Sequence, residues 1–448
     1  MPDCVRCSSR AVCVKLPVRA NTENARSCLL SRGAFIHEYD SSLSWVFRLA
    51  FIAPAKPIGT YTAQFANGDA KTPFVIKKKQ TIVPSVVHKR LRVGFVPLVD
   101  CAPLVMAQEL GLYRKYGLDV ALSRELGWAT IRDKIIHREL DAAHAVAGMP
   151  FAATLGLGSI ACDCLAALVL NLHGNVITLS NELWKAGVRD GATLRAEINR
   201  SRSRRTLTFG VVFPSSSHNF LLRDWLADAG IHPDRDVRIV VVPPPQMVTN
   251  LKAGHLEGFC VGEPWNSVAV RARAGWCVAA SAELAPGHPE KVLMVRRDFA
   301  EKRADEHVAL VAALLEACEF CQSGRNRDQV VTTLARPEYV GAPADDLRHA
   351  FDGQFDFGQG RTRAIPDFNV FHGSAANEPS GEKAAWVIEH LRTANLCQDA
   401  TALSFALSRQ VFRLDIFELA VRRCSSPAGT NPPNQELESN NESLPLPV

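Results

Sequence analysis

Between residues 91 and 300, short apolar runs bounded by turn residues alternate with stretches whose apolar positions recur every three or four residues. The first pattern marks a buried strand and the second an amphipathic helix. LRVGFVPL predicts a strand, and APLVMAQELGLYRKYG predicts a helix stopped by Gly117. DVALSREL, DAAHAVAG and CLAALVLNLHG predict further strands, with helices over ATIRDKIIHREL and from MPFAATLGLGS between them. After VITLS the alternation restarts. Strands over TLTFGVVFP, VRIVVVPPP and LEGFCVGEP are separated by helices over HNFLLRDWLADAG and QMVTNLKAG, and long helices follow Asp298. This alternation predicts parallel α/β sheets, and two successive units predict two lobes with a cleft. In such sheets ligands bind beyond the carboxyl ends of the strands, near helix N-termini.

The flanks do not share the pattern. Residues 1–90 show no sustained periodicity and end in KKKQTIVPSVVHKR, so they read as a poorly ordered basic leader. The Pro-, Ser- and Asn-rich residues 425–448 carry too few apolar positions to pack and read as a disordered tail. The folded body therefore spans 91–424, with lobe 1 at about 91–175 and 276–424 and lobe 2 at about 176–275.

Composition narrows the class. A formal net charge of +5 on 448 residues is mild. Up to Arg90 there are 14 Lys or Arg against 5 Asp or Glu, so the basic excess sits in the leader and the body gives no argument for direct nucleic-acid binding. Thirteen scattered cysteines lack the matched spacing of a zinc site, and Cys318 and Cys321 fall in an apolar helix. Such thiols suit a reducing compartment. The first forty residues hold no unbroken apolar run of a secretory signal, and no stretch is long enough to span a membrane. Together these features favour a cytoplasmic protein.

Few residues invite chemistry. In GVVFPSSSHNFLLRDWL a strand gives way to serines and a helix near His218, so Ser217, His218 and the free amides of the first turn can cradle an anion. An ordinary capped helix fits the same residues. Trp128 offers an N–H without an acceptor, or simply packs in the core. Gly174 and Asn175 follow a buried strand where the chain crosses between lobes, and a plain turn is the competing reading. Lys291 precedes an apolar strand and supplies a positive charge if its stem is buried, though an isolated lysine is usually solvated. Glu263 in GEPW has no recognisable nucleophile or metal set beside it, and no G-x-S-x-G, P-loop or H-E-x-x-H motif occurs.

Taken together, LRVGFVPLVDCAPLVMAQELGLYRKYGLDVALSRE, GWATIRDK, ELDAAHAVAGMPFAATLGLGS, HGNVITLS, SSHNFLLRDWLADAGI, VPPPQMVTNLKAGHLEGFCVGEPWN and HPEKVL resemble, in that order, the nitrate-binding protein family of ABC uptake systems. That family includes cytoplasmic nitrate/nitrite sensors of NasS type. The resemblance implies a type II periplasmic-binding-protein-like fold of two lobes with a hinge and interlobe cleft, no enzyme activity and no cofactor. It assigns the anion-binding roles to Trp128, Asn175, His218 and Lys291, with Gly174 and Ser217 beside them. Bicarbonate-binding relatives resemble a carboxylate with calcium at the last position, so the lysine points to nitrate or nitrite without a metal. The missing export signal favours the sensor branch, which implies an ANTAR-domain antiterminator protein as partner. The alternative is an exported, periplasmic or inner-membrane-associated component working with ABC permease and ATPase subunits. An enzyme of thiamine-precursor type on the same fold is a more distant one.

Overall fold

The computed structural model describes residues 61–64, 75–78, 90–373, 375–397, 399 and 401–425. Most of the leader and the tail beyond Ser425 lie outside these described residues. The chain divides into two compact units, Met1–His88 and Lys89–Val448. In the first, β1 (Tyr61–Gln64) and β2 (Val75–Lys78) pair antiparallel, where the sequence pattern predicts no regular element.

The second unit holds two main sheets. The larger runs β15 (Asn369–Val370), β6 (Cys164–His173), β12 (Pro289–Arg296), β5 (Ala142–Val146), β3 (Leu91–Phe95), β4 (Val120–Arg124). The smaller runs β11 (Gly275–Ala280), β7 (Asn175–Ser180), β10 (Gly258–Gly262), β8 (Thr208–Val211), β9 (Arg238–Val241). A hairpin of β13 (Gln354–Gly358) and β14 (Arg361–Ala364) completes the strands among the described residues.

Only part of the expected parallel pairing is present. β3 is parallel to β4 and β5, and β8 to β9 and β10. However, β12 lies antiparallel to β5 and β6, and β7 antiparallel to β10 and β11. The reason is connectivity. β6 runs towards the crossing between lobes and β12 runs back from it, so the two must point in opposite directions. Periodicity reports that a strand exists, not which way it runs.

Burial on both faces explains the apolar runs. β6 (CLAALVLNLH) packs against helices Ala102–Glu109 and Ala304–Gln322 on one side, and against Met149–Leu155 and Gly381–Thr393 on the other. The smaller sheet is covered by Gly191–Ser201 and Ser217–Asp228 on one face and by Met247–Lys252 and Trp265–Arg271 on the other. One cluster joins the lobes directly, with Trp128, Ile131 and Met149 meeting Val212, Phe213 and Met247.

The chain crosses between lobes at His173, Gly174 and Asn175, and returns between Ala280 and Pro289. β11 remains in the smaller sheet, so the return comes later than the sequence boundary at 275. His173 and Gly174 both have positive φ, 61° and 102°. At Gly174 glycine is required twice over, since a Cβ there would stand 2.4 Å from Asn369 Oδ1. The His173 ring ties the crossings together. Gly287 N–H donates to its Nε2 at 2.6 Å, which leaves the proton on Nδ1, and Nδ1–H donates to the Asp367 carbonyl at 2.9 Å. Burial holds this imidazole neutral, with its pKa pulled down to about 4.

Candidate functional site

Beside the crossing, at the hinge end of β12, Glu290 and Lys291 are both fully buried and meet one cluster of polar side chains. In a regular strand neighbours point to opposite faces. Here the ladder to β6 pairs Pro289 with Leu172 and Lys291 with Asn171, so Glu290 is an extra residue and the strand is bulged. A bulge re-aims a side chain, and in this case it brings two opposite charges together.

Lys291 Nζ lies 2.7 Å from Asp100 Oδ2, contacts Glu290 Oε1, and stands 5.4 Å from the centre of the Trp128 ring. The Glu290 carboxylate is in turn surrounded by donors. Asn175 Nδ2 donates to its Oε2 at 2.5 Å, and the Ser217 hydroxyl donates to the same oxygen. His218 Nε2 is 3.5 Å from Oε1, and His288 Nε2 is 3.4 Å from Oε2. Ser217 and His218 open the helix Ser217–Asp228, whose N-cap is Ser216, so the positive end of that helix faces the carboxylate. His144 Nε2 is 2.9 Å from Asp100 Oδ1, without the alignment of a regular hydrogen bond.

The electrostatics follow from burial and neighbours. Burial alone raises the Asp100 and Glu290 carboxyls, but Lys291 and the adjacent histidines outweigh it and hold both below the usual carboxylate range. Burial opposes the Lys291 charge, yet Asp100 and Glu290 raise its pKa, so it stays an ammonium. Burial pulls the His218 imidazole down to about 4 and lowers His144 as well. At neutral pH the cluster therefore holds two carboxylates, one ammonium and neutral His144 and His218.

Several buried polar atoms around this cluster have no partner. They are Asp100 Oδ1, Trp128 Nε1, both ring nitrogens of His144 and of His218, His288 Nε2 and Asn175 Oδ1. An unpaired buried donor costs roughly 1–3 kcal/mol, so such a concentration suits a place that receives a polar group. Gly262, at the end of β10, leaves space beside it. A Cβ there would meet Asp100 Oδ2 at 3.4 Å and Asn175 Oδ1 at 3.5 Å. Among the described residues no group of three or more His, Cys, Asp or Glu is arranged to hold a metal ion.

Of the residues singled out in the sequence, Trp128, Asn175, Ser217, His218 and Lys291 converge on this cluster. Gly174 serves the crossing instead, where its carbonyl accepts from Glu263 N–H at 3.3 Å. One expectation needs correction. Lys291 does not present a free positive charge, because two carboxylates already match it. Asp100, His144, Glu290 and Gly262 were not anticipated. Two signals for them exist in the sequence: a lone acid within the apolar run FVPLVDCAPLVM, and an adjacent acid–base pair opening an apolar strand.

A model of the family described as NMT1-like matches residues 87–335, more than half of the 448-residue chain. The chain belongs to the NMT1-like family. The nitrate/nitrite binding protein NrtA of Synechococcus elongatus is 33% identical over 368 residues, covering 80% of this chain and 82% of that protein. The crystal structure of the periplasmic nitrate-binding protein NrtA from Synechocystis PCC 6803 superposes with a TM-score of 0.72 at 29% identity, over 76% of this chain and 90% of that one. The family resemblance drawn from the ordered motifs is thereby shown, as is the periplasmic-binding-protein fold. The nitrate import ATP-binding protein NrtC of Synechocystis is 43% identical over 304 residues, 67% of this chain. The chain spans about half the length of that relative, 45%. The relatives of matched length are named as nitrate-binding proteins.

Proposed function

We propose that the chain binds nitrate or nitrite in its interlobe cleft and delivers it, as the substrate-binding component of an ABC importer, to permease and ATPase subunits. The observation that carries this reading is the pair of partnerless buried groups, Trp128 Nε1 and the His218 ring, placed beside the Lys291 ammonium and its Glu290 partner. A small planar oxyanion accepts from several directions at once and matches N–H and O–H donors better than any apolar ligand. Asn175 and Gly262 border the same space. The import and binding functions named for NrtA and NrtC support the transport reading over the cytoplasmic sensor with an ANTAR-domain partner. They also favour a location outside the cytoplasm. No helix among the described residues is long and apolar enough to cross a membrane.

Calorimetric titration of the purified chain with nitrate, nitrite and bicarbonate tests the ligand, and binding of bicarbonate alone overturns it. Cell fractionation tests the setting. A periplasmic form is expected, whereas a strictly cytoplasmic protein that co-purifies with an RNA-binding regulator restores the sensor reading.

A further inference from the structure

The charge balance of the cleft raises a problem for any anion that enters it. Asp100 and Glu290 carry two negative charges, Lys291 carries one positive charge, and all three are buried. The cluster is thus already negative by one charge before a ligand arrives. Moreover, the Glu290 carboxylate, itself a planar oxyanion, accepts from Asn175 and Ser217 and lies beside His218 and Lys291. It therefore stands beside the His218 ring and the Lys291 ammonium, where the proposed function puts the anion, and already takes the donors Asn175 and Ser217.

We propose that Glu290 is an internal competitor for the site, and that an anion binds together with one proton, which cancels the charge of that carboxylate. The inference rests on the anion-binding reading and adds to it a residue that sets affinity and selectivity. Without the proton, two unpaired negative charges would share a water-excluded space, where screening is weak. The proton goes to the Glu290 carboxylate, and other titratable groups are packed around it. From the neighbouring elements, His218 on the helix Ser217–Asp228 and His288 beside β12 both face Glu290 within 3.5 Å. His144 on β5 faces Asp100, His173 on β6 lies tilted against His288 with ring centres 5.1 Å apart, and Cys260 on β10 contributes a thiol kept neutral by burial. Lys291 and Asp100 complete the charged groups around it. Selectivity follows from the same balance. A monoanion needs one compensating proton and a dianion needs two, so sulfate-like ligands are disfavoured at neutral pH.

Nitrate, which does not titrate, is the suitable probe. Calorimetry in buffers of different ionisation enthalpy should show about one proton taken up per nitrate bound at pH 8. Linkage then requires affinity to fall about tenfold per unit of rising pH across the range where that uptake is complete. Glu290→Gln keeps the size and hydrogen-bonding capacity of the side chain but removes its charge. This variant should bind nitrate with little pH dependence, no net proton uptake and higher affinity at pH 8. Binding by the variant alone also supports the competitor role. Wild-type binding without proton uptake, or equal uptake in both proteins, overturns the proposal while leaving the ligand reading intact. Binding by neither protein at any pH overturns both.

Discussion

Gly148 of one lobe sits directly against the backbone of Ser215 of the other, so close that a Cβ on Gly148 would lie 2.2 Å from the Ser215 carbonyl oxygen. Gly148 has φ −79° and ψ −12°, which any residue adopts, so its small size rather than its backbone freedom is what the position uses. The buried Ser215 hydroxyl has no partner. Gly148→Ala should therefore hold the lobes apart and weaken nitrate binding. An overpacking cost of about 1–3 kcal/mol predicts a roughly 5- to 150-fold loss of affinity. Small-angle scattering should show a larger radius of gyration in the presence of nitrate than for wild type. Unchanged affinity and size would show that the contact yields easily.

Trp128 separates packing from ligand binding. Its ring lies in the core beside His144, at a centroid distance of 5.2 Å, while its Nε1–H has no partner. Trp128→Phe retains most of the packing and removes the donor. Stability without ligand should change by less than about 1.5 kcal/mol, whereas nitrate affinity should drop by about 1–3 kcal/mol. A loss confined to stability would return Trp128 to the core.

Lys291→Met leaves Asp100 and Glu290 buried without their counter-charge. Breaking a buried pair in this way costs about 3–5 kcal/mol, to be read from urea unfolding at pH 7. The double variant Lys291→Met, Glu290→Gln should recover part of that loss, because the second change removes one of the stranded charges. Failure to recover any would show that the ammonium contributes mainly through Asp100.

Acid should destabilise the protein through its buried histidines. His173, His218 and His307 have folded pKa values of about 4, below the ordinary 6.5, mainly because of burial. The unfolded chain takes up protons at these sites first as pH falls. Their contribution to stability is therefore complete above about pH 6.5 and is lost as pH drops towards 4. His307 lies away from the cleft in the helix Ala304–Gln322, with neither ring nitrogen partnered. His307→Leu should reduce the stability lost between pH 7 and pH 4.5 by about 2–3 kcal/mol. Parallel pH curves for the two proteins would show that His307 titrates normally.

Much of the frame was legible in the sequence because strands and helices leave periodic signatures. β6 and β12 show as apolar runs, and the helix at His218 shows in its serines. What the pattern hid was direction and bulging. β12 reads as a regular strand, and a regular strand would send Glu290 away from Lys291. One extra residue opposite β6 reverses that, and no periodicity reports it. Asp100 was obscure for a related reason. Its surroundings read as core, and its partner is nearly two hundred residues away. Family motifs drew attention to Lys291, but only the folded chain shows what already balances its charge.

The hydrogen bonds from Gly287 to His173, and from His173 to Asp367, act as an axle pin. They fix three strands of the connection to one point, so rotation of either half about it carries its side chains along as a preassembled set. Asp100, Trp128, His144, Glu290 and Lys291 travel with the larger sheet, while Ser215, Ser217 and His218 travel with the smaller. Opening parts the cage along a seam between these two groups. Any such parting must break the hydrogen bonds that Asn175 and Ser217 make to Glu290, so one buried carboxylate latches the two halves together.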